Sequence, residues 1–164
     1  MMRVIDVDWK KERVNKVLVK FTPGQVAENW QYLEPGIRTA LPPFTYEDPE
    51  RMNNIHQALL SGLIDCWVGN IQVNGSWKPY GFMLTTLSED TISGVKNLLI
   101  YVVYSYSKIP LKEFEANIGT IVSHAKNLGC HRIVAYTSVP KLLAIAKELG
   151  GDTDYRFVTF DIAE

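Results

Sequence analysis

The sequence has little cysteine, no excess of either charge and no long apolar run. Its two cysteines, Cys66 and Cys130, stand far apart, whereas a secreted disulfide scaffold carries more. Both read as buried or half-buried thiols of a cytoplasmic protein. Lys and Arg number 17 against 18 Asp and Glu, a net charge of -1. A nucleic-acid binder shows a basic excess, so no nucleic-acid partner is expected. The longest apolar run, Leu98–Tyr104, is far shorter than the ~20 residues of a membrane helix. Asp6, Asp8, Lys10, Lys11 and Glu12 come with no apolar stretch behind them, so no signal peptide is expected. Metal ligands are also scarce. Cys130 and His131 are adjacent, and on a strand they point to opposite faces. His56 and His124 have Leu60 and Leu128 one helical turn on, not a second ligand. No metal site is expected.

What is present is an ordinary globular composition. The 164 residues are 46% hydrophobic and 21% charged. One domain over 1–164 is expected, with its core in 14–162, and a chain of this size buries roughly 70% of its unfolded surface. Aromatics reach 11%, with eight Tyr, six Phe and four Trp. There are no repeats and no low-complexity segment.

Local patterns give the elements. Alternation over Val14–Phe21 predicts a strand, with a short extra strand around Arg3–Val7. Thr22-Pro23 starts a helix over Pro23–Leu33, a capping Thr followed by Pro at the first helical position. Glu34-Pro35-Gly36 is expected to break it before a short helical stretch over Ile37–Leu41. A Pro- and aromatic-rich loop over 42–49 leads to Asp48-Pro49, a second helix start, and that helix stops at Ser61-Gly62. Strands follow over Asp65–Val73, Tyr80–Leu87 and Leu98–Tyr106, the first closed by the hairpin signal Asn74-Gly75. Leu111, Phe114, Ile118, Ile121, Val122, Ala125 and Leu128 form a helical apolar stripe that ends at Gly129. A strand over Arg132–Thr137, a helix over Pro140–Gly150 and a last strand over Tyr155–Ile162 complete the chain. The order β, α, α, β, β, β, α, β, α, β predicts an α+β (mixed α/β) fold, a central mixed sheet with helices on both faces.

This order resembles the GNAT superfamily of acyl-CoA-dependent N-acyltransferases from Val14 to Ile162. The helix end Ala125-Lys126-Asn127-Leu128-Gly129-Cys130 resembles the family's A-x-x-x-G-C. Leu98–Tyr106 resembles its fourth strand and Arg132–Thr137 its fifth. Lys147-Glu148-Leu149-Gly150-Gly151 resembles the close of its last helix. The resemblance implies acyl-CoA, such as acetyl-CoA, held between two splayed parallel strands, with its pyrophosphate on the N–H groups of the next helix. On that basis Val103, Tyr104, Ser105, Ser107, Lys108, Lys112 and Ser138 are candidate acyl-CoA contacts. Tyr104 and Tyr136 are candidate catalytic residues. Trp30, Tyr32, Phe44 and Tyr46 are candidate contacts to the acceptor, an amine on a small molecule or a protein.

The sequence also departs from the family. Ser107–Ala116 contains no glycine where the family's Gln/Arg-x-x-Gly-x-Gly/Ala loop belongs, and Glu113 and Glu115 add negative charge there. Ala146 stands where many members carry a Tyr on the last helix. Glu28, Glu34, Asp65 and Glu89 are general bases by residue type, and spacing selects none of them. Motifs of serine hydrolases, P-loops, zincins and dinucleotide binders are absent. The expected function is acyl transfer to an amine. The alternatives are a non-catalytic interaction or assembly module of the same fold, as in small bacteriophage gene products and forming a homo-oligomer, or a ligand sensor.

Overall fold

The structure is a computed structural model that describes residues 8–10, 15–43, 45 and 48–162. The elements run β1 (Lys16–Lys20), α1 (Pro23–Thr39), α2 (Pro49–Leu60), β2 (Asp65–Val73), β3 (Ser76–Glu89), β4 (Lys96–Ser105), α3 (Leu111–Asn127), β5 (Arg132–Ala135) and α4 (Pro140–Glu148). The five strands lie side by side in sequence order. Pairs β1/β2, β2/β3 and β3/β4 are antiparallel, and β4/β5 is parallel. The mixed sheet expected from the sequence is therefore present. The expected strand Arg3–Val7 and residues Val14, Phe44 and Tyr46 lie outside the described residues.

Strand alternation divides the core into two layers. Cys66, Val68, Phe82, Leu84 and Val102 face one side, where Val26, Leu33 and Ile37 of α1 and Met52, Ile55 and Leu59 of α2 cover them. Trp67, Met83, Leu98 and Ile100 face the other, under Ile121 and Ala125 of α3. Full burial of one such aliphatic side chain contributes about 1.5–3 kcal/mol. The local signals that start α1 and the first hairpin act as expected. Gln25 donates its backbone N–H to Thr22 Oγ1 (3.2 Å), and Thr22 donates its own to Gln25 Oε1 (2.8 Å). Asn74 and Gly75 take φ of 49° and 79°, the left-handed pair that a two-residue hairpin turn requires.

Three expectations are corrected. Helix α1 does not break at Glu34-Pro35-Gly36 but runs through Pro35 to Thr39. Packing decides this, because Leu33 and Ile37 are both buried and Gly36 lies against Phe82 and Tyr104. Strand β3 begins at Ser76, before Pro79 rather than after it. The shift of pairing between Gly69/Asn70 and Gly81/Pro79 places a bulge at Tyr80, where a proline is tolerated beside the ladder. The expected strand Tyr155–Ile162 is not a strand. The segment forms no regular element and is exposed, so Phe157 and Phe160 are not sheet packing. Its alternation is real, but no strand among the described residues pairs with it.

Candidate functional site

The parallel strands β4 and β5 separate partway along. Their pairing runs from Asn97↔Arg132 to Ile100↔Ala135 and ends there. On the other side of β4, Thr85 pairs with Ile100 and Leu84 with Val102, so Tyr101 is an extra residue. A bulge bends its strand and increases the local twist. It sits where the two strands part, and β4 then continues to Ser105 without β5 beside it. Tyr106 donates its backbone N–H to the Tyr80 carbonyl (2.8 Å), and Phe82 pairs with Tyr104. Antiparallel alternation then turns the peptide groups of Val103 and Ser105 away from β3, toward the gap.

The N-terminus of α3 follows that gap. Pro110 is its cap and makes no side-chain capping bond. Its carbonyl accepts from Glu113 and Phe114, which leaves the N–H groups of Leu111 and Lys112 at the open end of the helix. Lys108 and Lys112 are exposed beside them. Glu113 is not: its side chain turns inward, accepts the Tyr80 hydroxyl (2.7 Å) and pairs with Lys16 of β1 (3.2 Å). Asn117 donates to the same hydroxyl (3.0 Å). One of the two carboxylates expected to oppose a phosphate is thus buried and neutralised. Burial pushes the Tyr80 phenol up, aided by Glu113 and opposed by Asn117, so it stays a proton donor. The two serines are less available than their spacing implied. Ser105 Oγ donates to the Ser107 carbonyl, and Ser107 Oγ is buried without a partner among the described residues.

Aromatic rings form the wall on the α1 side. Tyr104 lies 5.2 Å from Tyr106 edge-on and 5.7 Å from Phe82, centroid to centroid. Tyr106 donates its hydroxyl to the Tyr32 carbonyl (3.0 Å), which ties α1 to the end of β4. Burial raises the Tyr106 phenol above its ordinary range, with Tyr104 and Cys66 adding to the shift, so it keeps the proton it donates. Trp30 stacks flat on His56 at 3.9 Å, between α1 and α2, and the ring of Tyr32 is exposed. Tyr136 lies one residue past the last paired residue of β5, its ring 5.3 Å from Phe157. Ser138 is exposed, and the neighbouring Thr137 hydroxyl accepts from the Val139 N–H (3.1 Å).

The structure brings Val103, Tyr104, Ser105, Ser107, Lys108 and Lys112 to one end of β4. It separates the four carboxylates. Asp65 pairs with Lys20 (3.1 Å) and lies 3.4 Å from His124 Nε2 at the opposite end of the sheet, beside a cavity of about 400 Å³ lined by Lys20, Asp65 and Cys66. Glu89 faces Lys96 at that same end. Glu28 and Glu34 lie on α1, and Glu34 is ion-paired with Arg38. Sequence reading missed the Tyr101 bulge and the Lys16–Glu113–Tyr80 network. The only cue to either was Gly81, since a glycine inside a strand marks a close approach.

No protein-family model matches the sequence, and neither does any curated protein. Solved structures do match in shape. An aminoglycoside N-acetyltransferase, AAC(6')-Iy in complex with CoA, superposes with a TM-score of 0.65 at 11% identity, over 93% of this chain and 97% of that one. A probable acetyltransferase gives 0.64 at 15% identity, over 90% and 99%. The ribosomal-protein-alanine N-acetyltransferase of Brucella melitensis biovar Abortus 2308 gives 0.63 at 12%, over 90% and 99%. The chain has the fold of these acetyltransferases, the fold that the resemblance to the GNAT superfamily had implied. The chain is a divergent member of that fold, without the family's glycine-containing phosphate loop.

Proposed function

We propose that this protein is an acyl-CoA-dependent N-acyltransferase. The observation that carries the reading is the gap beside β4, which leaves the peptide groups of Val103 and Ser105 facing an open slot next to the N-terminus of α3. Those groups would hold the pantetheine arm as a neighbouring strand would. The N–H groups of Leu111 and Lys112, with the Lys108 and Lys112 ammonium groups, would hold the phosphates. The chain supplies charge there in place of the close backbone approach that glycines allow. Bound acyl-CoA supplies the activated acyl group. Tyr104, on the aromatic wall, and Tyr136, past the end of β5, flank the gap and are the candidate proton donors to the departing thiolate. An amine would enter past α1 and the 42–49 loop, with Trp30, Tyr32, Phe44 and Tyr46 as its contacts. Ser138 would touch the cofactor from the α4 side.

The test is thermal unfolding with acetyl-CoA. At a hundred times its dissociation constant a ligand stabilises the fold by about 2.7 kcal/mol, a rise of roughly 5–10 °C for a domain of this size. No shift at millimolar acetyl-CoA or coenzyme A overturns the reading. Lys108→Glu with Lys112→Glu is expected to abolish most of the shift. The glycine-free loop, the inward Ser105 hydroxyl and Ala146 favour a second reading, a non-catalytic module of the same fold. A defined oligomer with no acetyl-CoA binding would support it.

A further inference from the structure

The first turns of α3 are fastened to the sheet by a carboxylate. Among the described residues, α3 buries Glu113, Ile121 and Ala125. Its first two turns therefore bury no apolar side chain, and Phe114 and Ile118 are only half-buried. A cavity of about 20 Å³, bordered by Val103, Ile109 and Phe114, remains between these turns and the sheet. Pro110 adds no side-chain capping bond. What reaches the sheet instead is Glu113, which accepts the Tyr80 hydroxyl (2.7 Å) and pairs with Lys16 (3.2 Å). Asn117, one turn on and on the same helix face, donates to that hydroxyl (3.0 Å). The sheet is shaped to receive them. The Tyr80 ring crosses Gly69, where a Cβ would lie 2.4 Å from its Cζ. Trp9 meets the ring edge-on at 5.3 Å, and Lys16 Nζ lies 5.1 Å from the Trp9 ring centroid.

Stability alone does not call for this arrangement. Burying an ion pair costs the desolvation of both charges, and well-packed apolar residues in its place are often as stable or more so. Apolar burial is non-directional, whereas a hydrogen bond weakens steeply once its distance or angle is lost. A polar clamp therefore fixes where a helix end stands, which half-buried side chains over a cavity do not. The N–H groups of Leu111 and Lys112 stand two residues and one residue before Glu113 and have no acceptor within their own helix. The charge beside them is balanced as well. Lys16 offsets the Glu113 carboxylate, so an anion in front of those N–H groups meets no unpaired negative charge from it.

We propose that Glu113 is a positioning residue: held by Tyr80 and neutralised by Lys16, it sets the N–H groups of Leu111 and Lys112 for the phosphates of acyl-CoA. This rests on the acyl-CoA reading, and the measurements keep the two apart. In titration calorimetry of the full chain with coenzyme A, Glu113→Ala and Tyr80→Phe should each raise Kd at least about tenfold, the worth of one hydrogen bond to a charged group. Glu113→Gln, whose amide oxygen still accepts from Tyr80, should stay within about threefold of the wild type, since that bond remains. A carboxylate that served stability alone would lower the unfolding midpoint in all three variants and leave Kd unchanged. Without ligand, amides 114–117 should exchange faster in Glu113→Ala and Tyr80→Phe, while those of Ile121 and Ala125 stay slow. Where the wild type binds coenzyme A, an unchanged Kd in those two variants overturns the proposal and leaves the acyl-CoA reading standing. Glu113→Gln as weak as Glu113→Ala would mean that charge and not position matters, and would also overturn it. So would unchanged exchange at 114–117 in both variants. A wild type that binds no coenzyme A overturns the acyl-CoA reading, and the role assigned to Glu113 falls with it.

Discussion

At Gly81 the space for a side chain is already taken. A Cβ there would lie 2.6 Å from the Tyr104 carbonyl oxygen and 3.2 Å from Ser105 Cα, both backbone atoms of β4. Backbone cannot swing aside as a flexible side chain can, so Gly81→Ala should push β3 from β4 and destabilise by roughly 1–3 kcal/mol. Gly119 is the opposite case. A Cβ in that turn of α3 meets nothing within 4 Å, and Gly119→Ala should stabilise by roughly 0.5–1 kcal/mol. Urea midpoints of the two variants check both signs. A second residue-scale effect is alkaline. Burial, with the Asp65 charge adding to it, pushes the Cys66 thiol from 9.0 up to about 12. Above pH 9 the unfolded chain has lost that proton and the folded chain has kept it. The unfolded state then binds fewer protons, so stability falls as pH rises toward 12. Tyr80 and Tyr106, also raised by burial, add to the fall. Cys66→Ala should reduce the slope by one proton over that window, read from urea midpoints against pH. An unchanged slope would place the thiol's titration elsewhere.

Among the elements, those with their own start and stop chemistry were legible in the sequence. Thr22-Pro23, Asp48-Pro49, Asn74-Gly75 and Gly129 mark observed boundaries because capping and turn geometry act over three or four residues. The elements misread were those where distant packing overrides local preference. Pro35 has no N–H to donate to the Gln31 carbonyl, and its ring crowds that carbonyl. Helix α1 still continues, because Leu33, Gly36 and Ile37, all within two residues of it, pack on the sheet. The tail failed in the reverse way: it has a strand's alternation but pairs with no strand among the described residues. The candidate site was half legible. Val103, Ser105, Lys108 and Lys112 follow from the position of β4 and α3, but the bulge and the inward turn of Glu113 depend on register and on Lys16, far away in sequence. Pro35→Ala tests the element-scale argument. It restores a helical hydrogen bond and relieves a cost of about 3 kcal/mol, less roughly 0.4–1 kcal/mol for a more flexible unfolded chain. A net gain of about 2 kcal/mol is expected, measured by thermal and urea unfolding. A loss instead would mean that α1 needs the bend that proline imposes in order to seat Gly36 on Tyr104.

Taken as a whole molecule, the protein has two regions of unequal solidity. Both buried clusters are built on β2, β3 and β4, clamped by α1 and α2 on one face and α3 on the other. β5 joins this body through a short parallel ladder, and α4 contributes no buried residue. Stability in such a body is not shared evenly, because a segment with few buried apolar contacts opens without the rest. Native-state amide exchange across a urea series separates the two kinds of opening. Amides of β3, such as Phe82 and Leu84, should exchange only through global unfolding, with the full urea dependence of the protein. Amides of α4, such as Ile145 and Ala146, should exchange through a smaller opening with little urea dependence, because little surface is newly exposed. One urea dependence shared by β3 and α4 would show a single cooperative unit instead. The slot proposed for acyl-CoA has one wall on each region, β4 on the firm side and β5 with the start of α4 on the loose side. A ligand seated there would have to order the loose wall as it binds. Its presence should therefore slow exchange in α4 by as much as in β3, about a hundredfold at a hundred times its dissociation constant, because either opening must release it; unchanged exchange in α4 would mean that α4 is no part of the slot.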